Sequence, residues 1–276
     1  MQHHTSQHHA SHGPASRLDA SDREGVLEAF DLTGRVAIVT GGSRGIGRAV
    51  AAGFAAMGAK VVVASRKAEA CETAAAEMRD RGGEAMAHPT HLGDPEAIAS
   101  LVSATAEAFG GIDIVVNNAA NPLAQPVGSM TPEAMAKSWE VNFRGPVLLV
   151  QEALGHLRRS GHAAVLNVST AGVYTSGAWV SLYVAAKAAL TAMTHSMAAE
   201  LAADGIRVNA LAPGSVATQM LLSNPVEFQE AAADAQLIKR LADPTEMLYP
   251  ALFLCSDASS FMTGQTLVVD GGMTVR

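Results

Sequence analysis

Short apolar segments alternate along the chain with longer alanine-rich segments that are typical of helices. The short segments are rich in β-branched residues and are apolar on both faces, as expected for strands of a parallel sheet that is covered by helices. Seven strands are predicted in this way, at 35–40, 60–65, 84–88, 112–117, 163–169, 206–212 and 266–270.

Helices are predicted between these strands, near 45–57, 67–81, 94–109, 131–158, 181–203 and 244–256. Asp94-Pro95 and Thr131-Pro132 each place an N-cap residue before a proline at the first helical position. The alternation of strand and helix predicts a single α/β domain, built as a doubly wound parallel seven-stranded sheet with helices on both faces.

Two segments depart from this alternation. Residues 1–29 hold a histidine-rich stretch with Ser, Gly and Pro, and we expect a disordered tail or a purification tag there, with the domain spanning 30–276. The segment from Gln219 to Arg240 is rich in Ala, Glu and Asp and lies between two predicted strands. It is interpreted as a flexible helical lid over a substrate pocket, with a long surface connection as the alternative.

Composition narrows the class of protein further. The 276 residues carry a net charge of −7, which does not suggest a nucleic-acid surface. No run of about 18 apolar residues occurs, so no membrane span is predicted, and the N-terminal segment lacks the hydrophobic stretch of a secretory signal. Cys71 and Cys255 are isolated, which favours buried thiols in a reducing cytoplasm. The histidines of the body lack metal-ligand spacing, so no metal site is predicted.

A glycine-rich turn follows the first predicted strand and opens a helix, in the sequence GGSRGIGRAV. Glycine lets the backbone approach a pyrophosphate, and the helix N-terminus offers N–H groups to it. This context predicts a dinucleotide site, although glycines can also serve tight packing alone. The candidate residues of the turn are Gly41, Ser43, Arg44, Gly45, Ile46 and Gly47.

The end of the second strand indicates which dinucleotide is bound. NAD sites usually place an acidic residue there, to bind the ribose 2′-hydroxyl. This chain instead has Ser65, Arg66 and Lys67, and Arg44 in the turn could reach the same group. Guanidinium groups pair well with phosphate, so NADP(H) is predicted and NAD(H) is the less favoured cofactor. The alternative is that these cations lie at the start of a helix and bind no ligand.

Tyr183 and Lys187 stand four residues apart, so both side chains leave the same face of a predicted helix. An ammonium close to a phenol lowers the pKa of the phenol from its usual value near ~10. The pair could therefore carry protons in a reaction. A buried ring beside a solvated lysine is the plainer interpretation.

Over residues 30–276 the chain resembles the short-chain dehydrogenase/reductase family, whose members have a Rossmann fold. The resemblance is strongest to NADPH-preferring carbonyl reductases and 3-oxoacyl-acyl-carrier-protein reductases. It rests on six motifs in register: TGGSRGIG at 40–47, NNAA at 117–120, Asn142 within WEVNFRG, NVST at 167–170, YVAAK at 183–187 and LAPGSVAT at 211–218.

The resemblance implies a catalytic role for each matched residue. Tyr183 would donate or accept the proton of the carbonyl/alcohol pair, and Lys187 would lower its pKa and hold the nicotinamide ribose. Asn142 would help to hold a water that relays protons to Lys187. A serine hydroxyl would steady the substrate oxygen. Further cofactor contacts are implied for His91, Leu92, Asn118, Ala119, Ala120, Pro213, Gly214, Val216 and Thr218.

Two positions depart from the family pattern. The family serine usually stands thirteen residues before the tyrosine, and here that position is Thr170, with Ser169 one residue earlier. Both side chains carry a hydroxyl, so both remain candidates. After the third strand the family commonly has an aspartate, whereas this chain has His91. The imidazole could stack on or bond to adenine, or it could be an exposed loop histidine.

These expectations lead to an NADP(H)-dependent oxidoreductase that interconverts a carbonyl and a secondary alcohol. A 3-oxoacyl-thioester reductase is one alternative, for which Arg144, Arg158 and Arg159 could form a basic docking patch. A non-catalytic nucleotide-binding sensor is another. The resemblance further implies a homotetramer, and no nucleic-acid or membrane partner is expected.

Overall fold

The computed structural model describes residues 21–275, so most of the segment predicted as a tail or tag lies outside the described residues. Seven strands form one parallel sheet: β1 (Val36–Thr40), β2 (Lys60–Ser65), β3 (Glu84–Pro89), β4 (Ile114–Asn117), β5 (Ala164–Val168), β6 (Arg207–Pro213) and β7 (Thr266–Val269). Their order is β3-β2-β1-β4-β5-β6-β7. The predicted fold class is therefore confirmed.

Ten α-helices connect or flank the strands in the described part of the chain. They are α1 (Arg23–Glu28), α2 (Gly45–Ala56), α3 (Ala68–Asp80), α4 (Pro95–Phe109), α5 (Pro132–Trp139), α6 (Gly145–Leu157), α7 (Ser181–Leu201), α8 (Gln219–Leu222), α9 (Val226–Asp234) and α10 (Leu248–Cys255). Helix α1 was not predicted, and it lies within the segment that was expected to be a tail or tag.

The sheet separates two hydrophobic cores, because successive strand residues point to opposite faces. In β1, Ala37 and Val39 contact one core, and Ile38 contacts the other. The first core includes apolar residues of α2, α3 and α10, and the second includes those of α4, α6 and α7. All five residues of β1 are buried, which explains why this strand has no polar face in the sequence.

The strand order reverses between β1 and β4, since β2 and β3 lie on one side of β1 and β4 to β7 lie on the other. Ile38 of β1 is paired with Val62 on one side and with Val115 on the other, and each neighbouring strand leads to helices on a different face. In doubly wound sheets, ligands bind outside the carboxyl ends of the strands at such a switch point. The glycine-rich turn after β1 lies at this position.

The segment predicted as one helix over 131–158 is divided by a π-helical segment, Glu140–Arg144, between α5 and α6. Pro146 has no N–H, so it cannot donate to a carbonyl of the preceding turn. Single π turns of this kind are frequent at functional sites. Asn142 lies in the middle of the segment.

The interpreted lid, residues 219–240, contains the two short helices α8 and α9. Its C-terminal end is fixed by the buried Gln236, whose Oε1 accepts from Ser215 N–H at 2.9 Å, and by Ile238, whose N–H donates to Gly271 at 2.9 Å. Helical structure in this segment agrees with the expectation. Coverage of a substrate pocket by it stays a prediction.

Candidate active site

Helix α7 carries Tyr183 in its first turn and Lys187 one turn later. Lys187 is 1% exposed, and its Nζ donates to the Val168 carbonyl at 2.6 Å. Val168 is the last residue of β5, so this bond ties the ammonium to the carboxyl end of the sheet. Tyr183 is partly buried, and its phenol lies beside the side chain of Thr170.

Burial sets the protonation of both groups. It raises the pKa of Tyr183 to about 12, with the hydrogen bond from Thr170 acting in the opposite direction. It lowers the pKa of Lys187 to about 8, because the ammonium loses hydration in the interior. The expectation that Lys187 lowers the pKa of the phenol stays a prediction, although burial of the phenol acts in the opposite direction. The ammonium is directed at the Val168 carbonyl instead.

The two hydroxyl candidates occupy different environments. Ser169 is 3% exposed, and its hydroxyl shares a 2.7 Å hydrogen bond with Thr191 and lies 3.4 Å from the Lys187 carbonyl. Thr170 is partly exposed, contacts Tyr183, and accepts the Gly172 N–H at 3.1 Å at the start of a 3₁₀ turn. Of the two, Thr170 is the side chain that meets the phenol. Its catalytic role stays a prediction.

Asn142 is completely buried in the π-helical segment. Its side chain accepts the Asn121 N–H at 2.8 Å and donates to the Asn121 carbonyl at 2.9 Å and to Ser138 Oγ at 3.2 Å. The amide is thus occupied in holding the first residue after the NNAA motif. A water relay through Asn142 stays a prediction. Because the side-chain amide is occupied, such a water would have to bond to the backbone carbonyl of Asn142.

Glycine is required in the turn by close approach of the chain. A Cβ at Gly41, where φ is +66°, would lie 2.7 Å from Asn118 Nδ2, and one at Gly47 would overlap the same amide. Asn118 cannot easily move, since its Nδ2 donates to the Thr40 carbonyl at 2.8 Å. The turn is therefore packed against the end of β4.

Helix α2 begins at Gly45 with no side chain capping its first turn, because the N-cap residue is Arg44, whose guanidinium has no hydrogen-bond acceptor. Backbone N–H groups of a first turn are orphan donors that suit a phosphate. The residues present thus fit the pyrophosphate of a dinucleotide cofactor. Ser43 and Ile46 lie on either side of Arg44 and Gly45, and their contact with the cofactor stays a prediction.

The cations predicted to bind a 2′-phosphate differ in their contacts. Arg66 and Lys67 follow β2 and are exposed, and no acidic side chain in the described part of the chain pairs with either. Arg44 donates to Gln219 Oε1 at 2.5 Å, which links the glycine turn to the start of the lid. Ser65 is the last residue of β2, beside these groups.

The remaining predicted cofactor residues lie after β3, β4 and β6, at the carboxyl edge of the sheet. His91 is exposed, and its Nδ1 accepts the Gly93 N–H at 3.0 Å, while Leu92 is buried. Thr218 approaches the turn, since a Cβ at Gly45 would lie 3.0 Å from its Cγ2. The others on this edge are Ala119 and Ala120 after β4, and Pro213, Gly214 and Val216 at the end of β6.

Several polar residues at this edge lie within the matched motifs but were given no role by the sequence reasoning. Thr40 Oγ1 accepts the N–H groups of Asn118 and Ala119 at 3.0 and 3.1 Å, so it joins β1 to the NNAA segment. Asn167 bonds to Asn117 and Thr194, both at 2.9 Å, and connects β4, β5 and α7. Polar residues inside otherwise apolar strands were the available signal.

Among residues 21–275, no three His, Cys, Asp or Glu side chains come together in a way that could hold a metal ion. Across the same range, no helix combines the length and apolarity required to cross a bilayer.

Comparison with known proteins gives consistent relatives. A family model described as Enoyl-(Acyl carrier protein) reductase matches residues 41–274. The chain is 39% identical over 248 residues to a short-chain dehydrogenase/reductase, SDRA, of Arabidopsis thaliana, which covers 89% of this chain and 96% of that protein. It is 39% identical over 242 residues to the cis-4-hydroxycyclohexanecarboxylate dehydrogenase of Sinomonas cyclohexanicum, covering 87% and 96%.

A solved structure of similar shape comes from Beutenbergia cavernae. It is described as a candidate NAD(P) dependent gluconate 5-dehydrogenase with NADP bound at low occupancy. The two chains are 33% identical and superpose with a TM-score of 0.85, over 90% of this chain and all of the other.

Proposed function

Because the chain belongs to the short-chain dehydrogenase/reductase family and is an oxidoreductase, we propose that it interconverts a carbonyl and a secondary alcohol by hydride transfer with NADP(H). The observation that carries the proposal is the position of Tyr183, which lies beside Thr170 and one helical turn from the buried ammonium of Lys187. Two hydroxyls and a cation at the carboxyl edge of the sheet suit a carbonyl oxygen that gains a proton.

Tyr183 is the proton donor in reduction. With a pKa of about 12, its phenol is protonated at neutral pH and can give its proton to the carbonyl oxygen. Thr170 positions that oxygen through its hydroxyl. Lys187, with a pKa of about 8, is mainly an ammonium at pH 7 and can bind ribose hydroxyls. When bound, NADP(H) supplies the hydride donor or acceptor at C4 of its nicotinamide.

The preference for NADP(H) is supported by the charge after β2. Arg66 and Lys67 are exposed cations without acidic partners among the described residues, and an arginine binds a phosphate through two parallel hydrogen bonds. The Beutenbergia cavernae relative carries bound NADP. The substrate class is supported by the Sinomonas relative, whose name specifies a ring with a secondary alcohol. We therefore favour a cyclic ketone or alcohol as substrate.

Reduction of a 3-oxoacyl thioester is the second candidate, since the description of the matching family model names a reductase and acyl carrier protein. An acidic carrier protein would require a basic docking surface. The three arginines considered for that surface are already engaged: Arg144 with Glu140 and Gly93, Arg158 with Asp204, and Arg159 with His156. A non-catalytic sensor is disfavoured by the retained Tyr183, Lys187 and Asn142.

The proposal is tested by initial rates on cyclohexanone and on acetoacetyl thioesters, each with NADPH and with NADH. We expect turnover of cyclohexanone with a kcat/KM at least about ten-fold higher for NADPH, because one charge-assisted contact to the 2′-phosphate contributes about 1.5–3 kcal/mol. Arg66→Ala should remove most of this preference. Arg81→Ala is the matched control, because Arg81 is exposed at the opposite end of α3.

A kcat/KM with NADH equal to or above that with NADPH would overturn the cofactor assignment. Faster turnover of the thioesters than of any simple ketone would favour the second candidate. Binding of NADPH without reduction of any carbonyl in a broad panel would favour the sensor.

A homotetramer is proposed from the family resemblance, and exposed apolar surface supports an assembly of several copies. Met135, Trp139, Leu182 and Ala185 line an open depression of about 390 Å³ between α5 and α7, and Phe261, just before β7, is fully exposed. Single copies rarely leave such residues uncovered together. Light scattering should give a mass above that of the 28.4 kDa monomer, and Trp139→Glu should reduce it. A monomer at micromolar concentration would contradict the proposal.

A cytoplasmic location is proposed from the two cysteines. Cys71 and Cys255 are both free and buried, which suits a reducing compartment. Cell fractionation tests this location.

A further inference from the structure

Two features of the loops beside Tyr183 have no part in the proposed reaction. Trp179 has a φ of 67°, and it is the one non-glycine residue with positive φ in the described part of the chain. Bulky side chains adopt this conformation only where the surroundings hold them in it, and such positions cluster at ligand sites. The Trp179 side chain is nevertheless 64% exposed.

The second feature is the side chain of Gln125. Its Oε1 is buried and has no hydrogen-bond partner within the described residues. Buried acceptors are nearly always paired, and each exception calls for an explanation such as a bound group. An amide oxygen accepts hydrogen bonds and cannot donate them, so the missing partner is a donor.

A direct bond joins Gln125 to the segment that leads into α7. Its backbone N–H donates to the Trp179 carbonyl at 2.7 Å. Trp179 precedes the N-cap of α7 and stands four residues before Tyr183, which limits the separation of their Cα atoms to roughly 15 Å. The loop that holds Gln125 is thus attached to the same helix start that carries the phenol.

The other end of this loop is also fixed. It leaves β4 at the carboxyl edge of the sheet, and Asn142 binds both the N–H and the carbonyl of Asn121. The loop is therefore held at Asn121 and again at Gln125, with Trp179 on its far side. Segments held in this way can form a rigid wall of a pocket.

We propose that Gln125 determines specificity, by accepting a hydrogen bond from a hydroxyl that the substrate carries several bonds away from its reacting carbonyl. Trp179 supplies the apolar surface against which the ring of that substrate lies. The proposal rests on the proposed function and extends it, since it narrows the substrate to a hydroxy ketone or a diol. An ordered water that only satisfies the amide is the competing explanation.

The test compares cyclohexanone, 4-hydroxycyclohexanone and 4-methoxycyclohexanone as substrates with NADPH. We expect kcat/KM to be at least about ten-fold higher for the hydroxy ketone than for the other two, because loss of one hydrogen bond to a built site costs at least that factor. Gln125→Met, which removes the acceptor at similar size, should bring the ratio close to one. Gln125→Glu retains acceptor oxygens and should preserve it.

Gln151→Met is the matched control, because Gln151 is exposed on α6 away from these loops, and its kinetics should equal those of the unaltered protein. Equal kcat/KM for the three ketones in the unaltered protein would overturn the proposal without any variant. A methoxy ketone that is as good a substrate as the hydroxy ketone would also overturn it. So would a preference for the hydroxy ketone that survives in Gln125→Met, because a water that only satisfies the amide leaves substrate preference independent of this side chain.

Calorimetry separates failure of this inference from failure of the proposed function. The dissociation constants of 1,4-cyclohexanediol and cyclohexanol are measured with NADP⁺ present, and no turnover of a ketone is required. Tighter binding of the diol, lost in Gln125→Met, would support the inference even if no ketone were reduced. Equal binding of the two alcohols, or binding of neither, would overturn it.

Discussion

Replacing Tyr183 by phenylalanine is expected to lower kcat for ketone reduction by roughly 10³-fold, within the range that general acid catalysis contributes. The substitution removes the phenol hydroxyl and keeps the ring, so packing at the start of α7 is preserved. The pKa of this phenol is about 12, and it is therefore available as a proton donor throughout the neutral range. Steady-state kinetics with saturating NADPH measure the effect.

The chain offers matched controls for this prediction. It has three tyrosines, and the hydroxyls of Tyr174 and Tyr249 are on exposed side chains. Phenylalanine at either position should change kcat by less than about three-fold, since surface substitutions have small effects. NADPH binding, followed by fluorescence, should be retained in Tyr183→Phe. If this variant kept more than a tenth of the normal kcat, another group would be the proton donor.

The sheet and the cofactor turn were predictable because their causes are local. Strands such as β1 are apolar on both faces because both faces are covered, and that pattern is visible in the sequence. The glycines of the turn follow a strand directly, and the spacing of Tyr183 and Lys187 is that of one helical turn. Each of these signals depends on residues that are neighbours along the chain.

Other features depend on contacts between distant segments and were not predictable. Arg44 bonds to Gln219, which is 175 residues away, so the link between the turn and the lid could not be inferred from either segment. Burial of the Tyr183 phenol and the bond of Lys187 to Val168 could not be inferred either, because both arise only from packing. The extra residue that makes the π turn likewise leaves no local pattern.

Ser169 and Thr170 illustrate this limit most directly. They are adjacent in the sequence, and each carries a hydroxyl, so their chemistry alone gives no preference. At the end of β5, successive side chains point to opposite sides. One hydroxyl therefore enters the interior beside Thr191, and the other reaches Tyr183.

The two positions should consequently respond in opposite ways to loss of the hydroxyl. Thr170→Val is expected to lower kcat/KM for ketone reduction by roughly 10²-fold, which is the usual effect of removing one donor to a reacting oxygen. Ser169→Ala is expected to change kcat/KM by less than about five-fold. It should instead reduce the free energy of unfolding by about 1 kcal/mol, because Thr191 loses one of its two buried partners.

Thr170→Ser separates the effect of losing the hydroxyl from the effect of changing the size of the side chain. It keeps the oxygen that contacts Tyr183 and that caps the 3₁₀ turn through Gly172, so kcat/KM should stay within about five-fold of normal. Kinetics and denaturant unfolding on the three variants measure both effects. If Ser169→Ala lost the larger share of activity, the catalytic hydroxyl would be the buried one, and the loop after β5 would have to rearrange when substrate binds. If neither variant lost activity, this segment would have no role in the chemistry, and the phenol of Tyr183 would act without a hydroxyl partner.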